Sequence, residues 1–192
     1  MRRSLVALLV TSFFSLTIAP AFADPAGDLN AAIRAFAAAK SVHVDVKTSR
    51  GVTGAIDMVQ PDKSRTTVSM MGRQTQVVII GKDEYINMNG SWQKSHYGAA
   101  NPIITQMNAA QAVLNKNHDI RKEYKVSGGG PAMVNGTPAR KYHLVGKDNG
   151  SAVDVYIGAG NLPLQIAWGM ADENMTWTYS QYNNVPDITP PM

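Results

Sequence analysis

Val42-His43-Val44-Asp45-Val46-Lys47 sets three valines on one side of an extended chain and an imidazole and two charges on the other. Successive side chains of a strand point to opposite faces, so these six residues read as a strand with one buried face and one wet face. Upstream the period is helical. From Asp24 to Lys40, Leu29, Ile33 and Phe36 recur at three- and four-residue intervals among alanines, and Pro25 stands where an early helical proline is tolerated. Downstream the period of two returns. Arg50-Gly51 turns the chain, and Ile56 and Met58 then alternate with Ala55 and Asp57. Pro61-Asp62 turns it again, and Thr66, Val68 and Met70 mark a third strand. Gly72 and Gly81 bracket a fourth over Gln74 to Ile80. Glu84 to Met88 is a fifth, followed by Asn89-Gly90, a pair suited to the positive φ angles of a type I′ hairpin.

Pro102 to His118 breaks this rhythm. Ile103, Met107, Ala110 and Leu114 share a face at helical spacing, which predicts a second amphipathic helix. Strands resume at Tyr124 to Val126, Ala139 to Val145, Ala152 to Ile157, Leu162 to Trp168 and Asn174 to Tyr182. Asn135-Gly136 and Asn149-Gly150 are further hairpin signals. Gly128-Gly129-Gly130 lacks the Lys-Ser/Thr of a phosphate loop and leads into Pro131, so it reads as a flexible connector. The tail from Pro186 to Met192 carries too many prolines to pair as a central strand. The layout predicts an α+β domain: a strongly curved antiparallel sheet of about ten to eleven short strands, an incomplete barrel with two or more helices on its concave face.

The first 23 residues read differently. Arg2 and Arg3 form a basic start, Leu5 to Ile18 is apolar or small, and Ala21-Phe22-Ala23 is the small-x-small pattern of a leader cleavage site. The apolar run is shorter than the roughly 20 residues a spanning helix needs. We therefore expect residues 1–23 to be a cleaved signal peptide and residues 24–192 to form a single domain, exported to the periplasm. The formal net charge is +4, and Arg2 and Arg3 account for two of those charges. The remainder is too mild for a nucleic-acid binder, which needs a basic stripe. There are 0 cysteines, hence no disulfide, no thiol nucleophile and no cysteine to carry a lipid anchor.

Catalytic and metal constellations are missing from the sequence. His43, His96, His118 and His143 form no i, i+4 pair and no HExxH motif, and His43 and His143 lie on the polar parity of their strands. No Gly-x-Ser-x-Gly elbow is present. No enzyme activity, cofactor or metal is expected. Asn89, Asn135, Asn149 and Asn174 each begin an Asn-x-Ser/Thr triplet, but three of these are the Asn-Gly pairs that hairpins use anyway. Arg121, Lys122, Lys125, Arg140 and Lys141 read as a solvated face. Trp92, just past a turn, reads as a rim residue. An aspartate in place of Val44 is expected to destabilise the domain, and one in place of His43 to be tolerated.

In the order of these elements the chain resembles the LolA/LolB-like lipoprotein carriers and their periplasmic and mycobacterial lipid-binding relatives. The likeness is carried by the short helix running into Val42-Val44-Val46, the strand that ends at Pro61 and restarts through Lys63 and Arg65, and Gly81-Lys82-Asp83-Glu84-Tyr85. Trp92-Gln93-Lys94 and the closing Tyr179-Ser180-Gln181-Tyr182-Asn183 complete it. The resemblance implies an open half-barrel with helices as a lid over an apolar cavity that holds acyl chains of lipids or lipoproteins. On that basis the cavity would be lined by Ile56, Met58, Val68 and Met70, by Met107 and Leu114 of the second helix, and by Leu164, Ile166, Trp168 and Trp177. The flexible thioethers among the 10 methionines suit a space that must fit differing chains. A hydrophobic ligand, a membrane or receptor for hand-over, and a monomeric state are the implied associations. The competing readings are a small outer-membrane β-barrel and a β-rich periplasmic domain with a structural role.

Overall fold

A computed structural model describes residues 24–88, 90–96, 119–170 and 173–191. The helix expected over 102–118 lies outside the described residues, and so do Met107 and Leu114. Helix α1 (Pro25–Ala38) precedes six strands: β1 (Ser41–Thr48), β2 (Thr53–Val59), β3 (Lys63–Met70), β4 (Arg73–Ile80), β5 (Asp83–Met88) and β6 (Ser91–His96). The short helix α2 (Ile120–Glu123) then leads to β7 (Tyr124–Val134), β8 (Thr137–Gly146), β9 (Ala152–Ile157), a 3-10 turn at Ala159–Asn161, β10 (Pro163–Met170) and β11 (Glu173–Ser180). All pairings are antiparallel, in one 11-stranded sheet of order β6-β5-β4-β3-β2-β1-β11-β10-β9-β8-β7. β6 and β7 are its outer edges, so the sheet stays open: the curved α+β half-barrel that the sequence predicts.

Two meanders make this sheet, β1–β6 and β7–β11, and the pairing of β1 with β11 joins them. Alternation fixes which side is buried. One row of paired residues crosses seven strands on the concave face: Val68, Gly54, Val46, Trp177, Ile166, Val155 and Tyr142. Val42, Val44, Ile56, Leu144, Val153 and Tyr179 share that face and are buried with them. Ala26, Leu29, Ala32 and Ile33 of α1 close the core from above. The helix lies against β7, α2 and the 3-10 turn, all of the second meander. Asp28 fastens it there, accepting a hydrogen bond from Arg140 (2.8 Å) and one from the Tyr142 hydroxyl (2.6 Å). Burial, reinforced by this carboxylate, pushes the Tyr142 hydroxyl well above its ordinary pKa, so it remains a donor.

The outer face is polar, and several of its charges are paired. His43 Nδ1 meets Asp57 at 2.6 Å and its Nε2 lies 3.5 Å from Asp45. His143 and Lys141 both reach Asp154 at 2.8 Å. Partial burial alone would raise the Asp154 pKa, but hydrogen bonds from Lys141 and His143 outweigh it and hold this carboxyl below its usual range. Both histidines therefore lie on the polar side, as their parity predicts. One apolar patch interrupts this surface. Val78 and Tyr85, with Trp92 and Ile80 beside them, are covered by Ile188 of the C-terminal tail. Lys63 pins that tail through Asp187 at 2.6 Å, which lowers the Asp187 pKa, and Ser41 Oγ accepts from the Val185 amide. The tail makes no strand, in keeping with its prolines.

Two readings are corrected. Trp92 is no rim residue. It lies in β6 and packs on the outer face against the Val78–Tyr85 cluster. Gly128-Gly129-Gly130 is no free connector either. It lies within β7, where the register with β8 shifts between Gly128 and Gly130. Gly128 has φ 104°, and a Cβ there would stand 2.6 Å from the carbonyl oxygen of Lys141. Only glycine fits this close, positive-φ bulge.

Candidate functional site

Every hairpin tip of one end of the sheet belongs to a β1–β2, β3–β4, β5–β6, β8–β9 or β10–β11 connection. At this end the concave face is hollow. The space measures about 630 Å³, within the roughly 300–1,000 Å³ of small-molecule sites. Its floor is Val46, Ile56, Val68, Met175 and Trp177, from β1, β2, β3 and β11. Gly54 explains why there is room. It stands between Val46 and Val68 in the same cross-strand row and contributes no side chain, where a Cβ would lie 3.6 Å from Val46 and 3.7 Å from Val68.

The mouth has a different chemistry. Thr48 and Thr75 place hydroxyls along it, and Arg73 and Glu173 place opposite charges there. Beside Arg73 the β3–β4 tip is Met71-Gly72, with φ of 51° and 75°. Both positive values fit a type I′ turn, whose sense of twist matches the flanking strands. That turn holds Met71 in water, 95% exposed, and Met70 is 54% exposed next to it. An apolar floor beneath a polar, methionine-tipped mouth can seat an amphiphile by burial of its chain, with the head in water.

Ile56, Val68, Met70 and Trp177, four of the residues singled out from sequence, meet at this hollow. Ile166 shares a cross-strand row with Val68 and Trp177 but is packed solidly in the core, and Met58 is half-buried against the same core. Leu164 falls at the register shift between Pro163 and Gln165 and lies over Gly158, where a Cβ would come within 2.7 Å of its Cδ1. Trp168 packs against Trp177 with ring centroids 5.7 Å apart. Val46, Thr48, Val52, Arg73, Thr75, Glu173 and Met175 also line the space. Parity alone marks the concave face. What separates liners from core is which strand carries them, since the liners come from the tip ends of β1, β2, β3, β4 and β11.

No group of three or more potential metal ligands exists among the described residues. Nor is any helix among them long and apolar enough to cross a membrane. Buried polar atoms without a partner among these residues are Asn30 Oδ1, Glu84 Oε1, Trp177 Nε1 and the Tyr179 hydroxyl.

No protein-family model matches the sequence, and no curated protein matches it significantly. Solved structures do match in three dimensions. The Mycobacterium tuberculosis lipoprotein LppX superposes with a TM-score of 0.65 at 12% identity, over 87% of this chain and 100% of that one. LprF from Mycobacterium bovis gives 0.64 at 13% identity, over 87% and 96%. The MucA/MucB complex of Pseudomonas aeruginosa gives 0.50 at 15% identity, over 82% of this chain and 57% of the matched one. The fold of this chain is thus the open half-barrel that its LolA/LolB-like resemblance implies.

Proposed function

We propose that this protein is an exported carrier or sensor that holds the acyl chain of a lipid or lipoprotein in the hollow at the tip end of its concave face. The observation that carries the reading is the apolar floor of Val46, Ile56, Val68, Met175 and Trp177 in a space open at its mouth. Burial is worth about 0.8 kcal/mol per methylene, so a chain of modest length is held without covalent chemistry or a cofactor. Release then needs a second apolar surface, and the exposed Met70 and Met71 stand where a membrane or receptor would meet the mouth. The likeness to a lipoprotein and its relative supports this reading at the level of fold. In it, residues 1–23 are the leader and 24–192 the working domain, which sequencing of the exported protein's N-terminus checks directly: Asp24 is expected first. The membrane-barrel alternative fares worse, because among the described residues the outermost strands β6 and β7 do not pair with each other, and the outer face bears His43, Asp45, Lys141 and Asp154. A spanning sheet must close and turn an apolar face to lipid.

The test is titration of a fluorescent fatty-acid probe into the wild type and Val68→Trp, with circular dichroism as the folding control. Val68 lines the hollow without being part of the sealed core. Filling the space should weaken the probe at least about tenfold while the spectrum stays unchanged. A wild type that binds no probe and copurifies with no lipid from its own compartment would overturn the proposal.

A further inference from the structure

Two charges face the hollow, and among the described residues neither has an ion-pair or hydrogen-bond partner. Arg73 opens β4, across the two-residue turn from Met70, to which it is paired in register. Glu173 opens β11 on the far side, with β1, β2 and β3 between them. Several other cations of the described residues are held by carboxylates. Lys63, Lys94, Arg121, Arg140 and Lys141 each hold a carboxylate within 2.9 Å. A guanidinium left open beside a space that is otherwise apolar and hydroxyl-lined has its donors available to a ligand.

We infer that the hollow takes single-chain amphiphiles with an anionic head, a carboxylate or a phosphate, the head lying at Arg73 and the chain running down to Trp177. This rests on the acyl-chain reading and names the ligand class within it. Register places Thr75 on the same face as Arg73, paired with Val68, so a hydroxyl lies between the guanidinium and the apolar floor. The planar fork of arginine matches both anions, each of which offers two oxygens to parallel N–H donors. Glu173 adds direction. Its carboxylate disfavours an anionic head on the β11 side of the mouth, so the amphiphile is oriented as well as held.

The experiment displaces a neutral fluorescent naphthylamine probe with dodecanoate, dodecyl phosphate and dodecanol, at low ionic strength because exposed charges are screened by salt. The wild type should prefer an anionic head over the alcohol by about three- to tenfold, the range of an accessible charge-assisted contact. Arg73→Met keeps most of the apolar stem and should abolish that preference, so that the three ligands bind it about alike. Arg73→Lys should retain part of it, and Glu173→Gln should increase it. The ratio of the two anions tells carboxylate from phosphate. Equal binding of all three by the wild type, or a preference that survives Arg73→Met, overturns the head-group assignment and leaves the acyl-chain reading standing. Failure of every ligand, with the probe itself unbound, overturns both.

Discussion

Val44 has 0% of its surface exposed, while its neighbour His43 touches Asp57 and Asp45 on the other side of the same strand. The two positions make a direct test of the buried face. An aspartate at Val44 would bury a carboxylate among Ile56, Tyr179 and the apolar core, with water excluded. We expect a loss of about 3 kcal/mol or more in a urea titration. His43→Gln should cost under about 1 kcal/mol, since it keeps a donor for Asp57. From alternation alone His43→Asp is expected to be mild, and its partners sharpen that expectation. The substitution would set a third carboxylate against Asp57 and Asp45 and should fall between the other two variants. Equal stability for Val44→Asp and His43→Gln would mean that the faces are assigned the wrong way round. Parity was legible in the sequence. Cross-strand partners were not, because Asp57 reaches His43 only through a register that alternation leaves free.

At the scale of the element, β7 shows how a local signal misleads. Three consecutive glycines suggest slack chain, yet here they cross a bulge in an edge strand, hydrogen-bonded on one side to β8. The glycines are not equivalent. At Gly128 an added Cβ would collide with the Lys141 carbonyl, and at Gly130 it would meet nothing within 4 Å. Gly128→Ala should therefore cost about 1–3 kcal/mol, the scale of a residue forced into a sparsely populated backbone region. Gly130→Ala should be near neutral or slightly stabilising, since alanine removes freedom from the unfolded chain. Similar melting temperatures for both would remove the bulge from the account. Strand β6 poses the opposite difficulty. Ser91-Trp92-Gln93-Lys94 has little amphipathic pattern because it is an edge strand whose outer tryptophan is covered by Ile188, nearly a hundred residues later in the chain.

For the molecule as a whole, the open sheet and its concave apolar side follow from period-two alternation and hairpin chemistry, and were readable as such. Where the space lies was not, because Val68 and Ile166 carry the same local signature. Only the three-dimensional row, with Gly54 as its gap, makes one a liner and the other core. That same row crosses the seam between the two meanders, and helix α1 crosses it too: the helix belongs to the first half of the chain and is fastened by Asp28 to Arg140 and Tyr142 of the second. Neither half can therefore satisfy its own apolar surface. A chain severed between His96 and Asp119 should give fragments that stay unfolded or aggregate apart, yet reassemble when mixed, recovering the native circular dichroism and a sharp urea transition. If either fragment melts cooperatively alone, the halves are independent folding units. If they complement, the protein is a built-in heterodimer written on one chain, and its seam is a natural place to divide it into a split reporter of ligand occupancy.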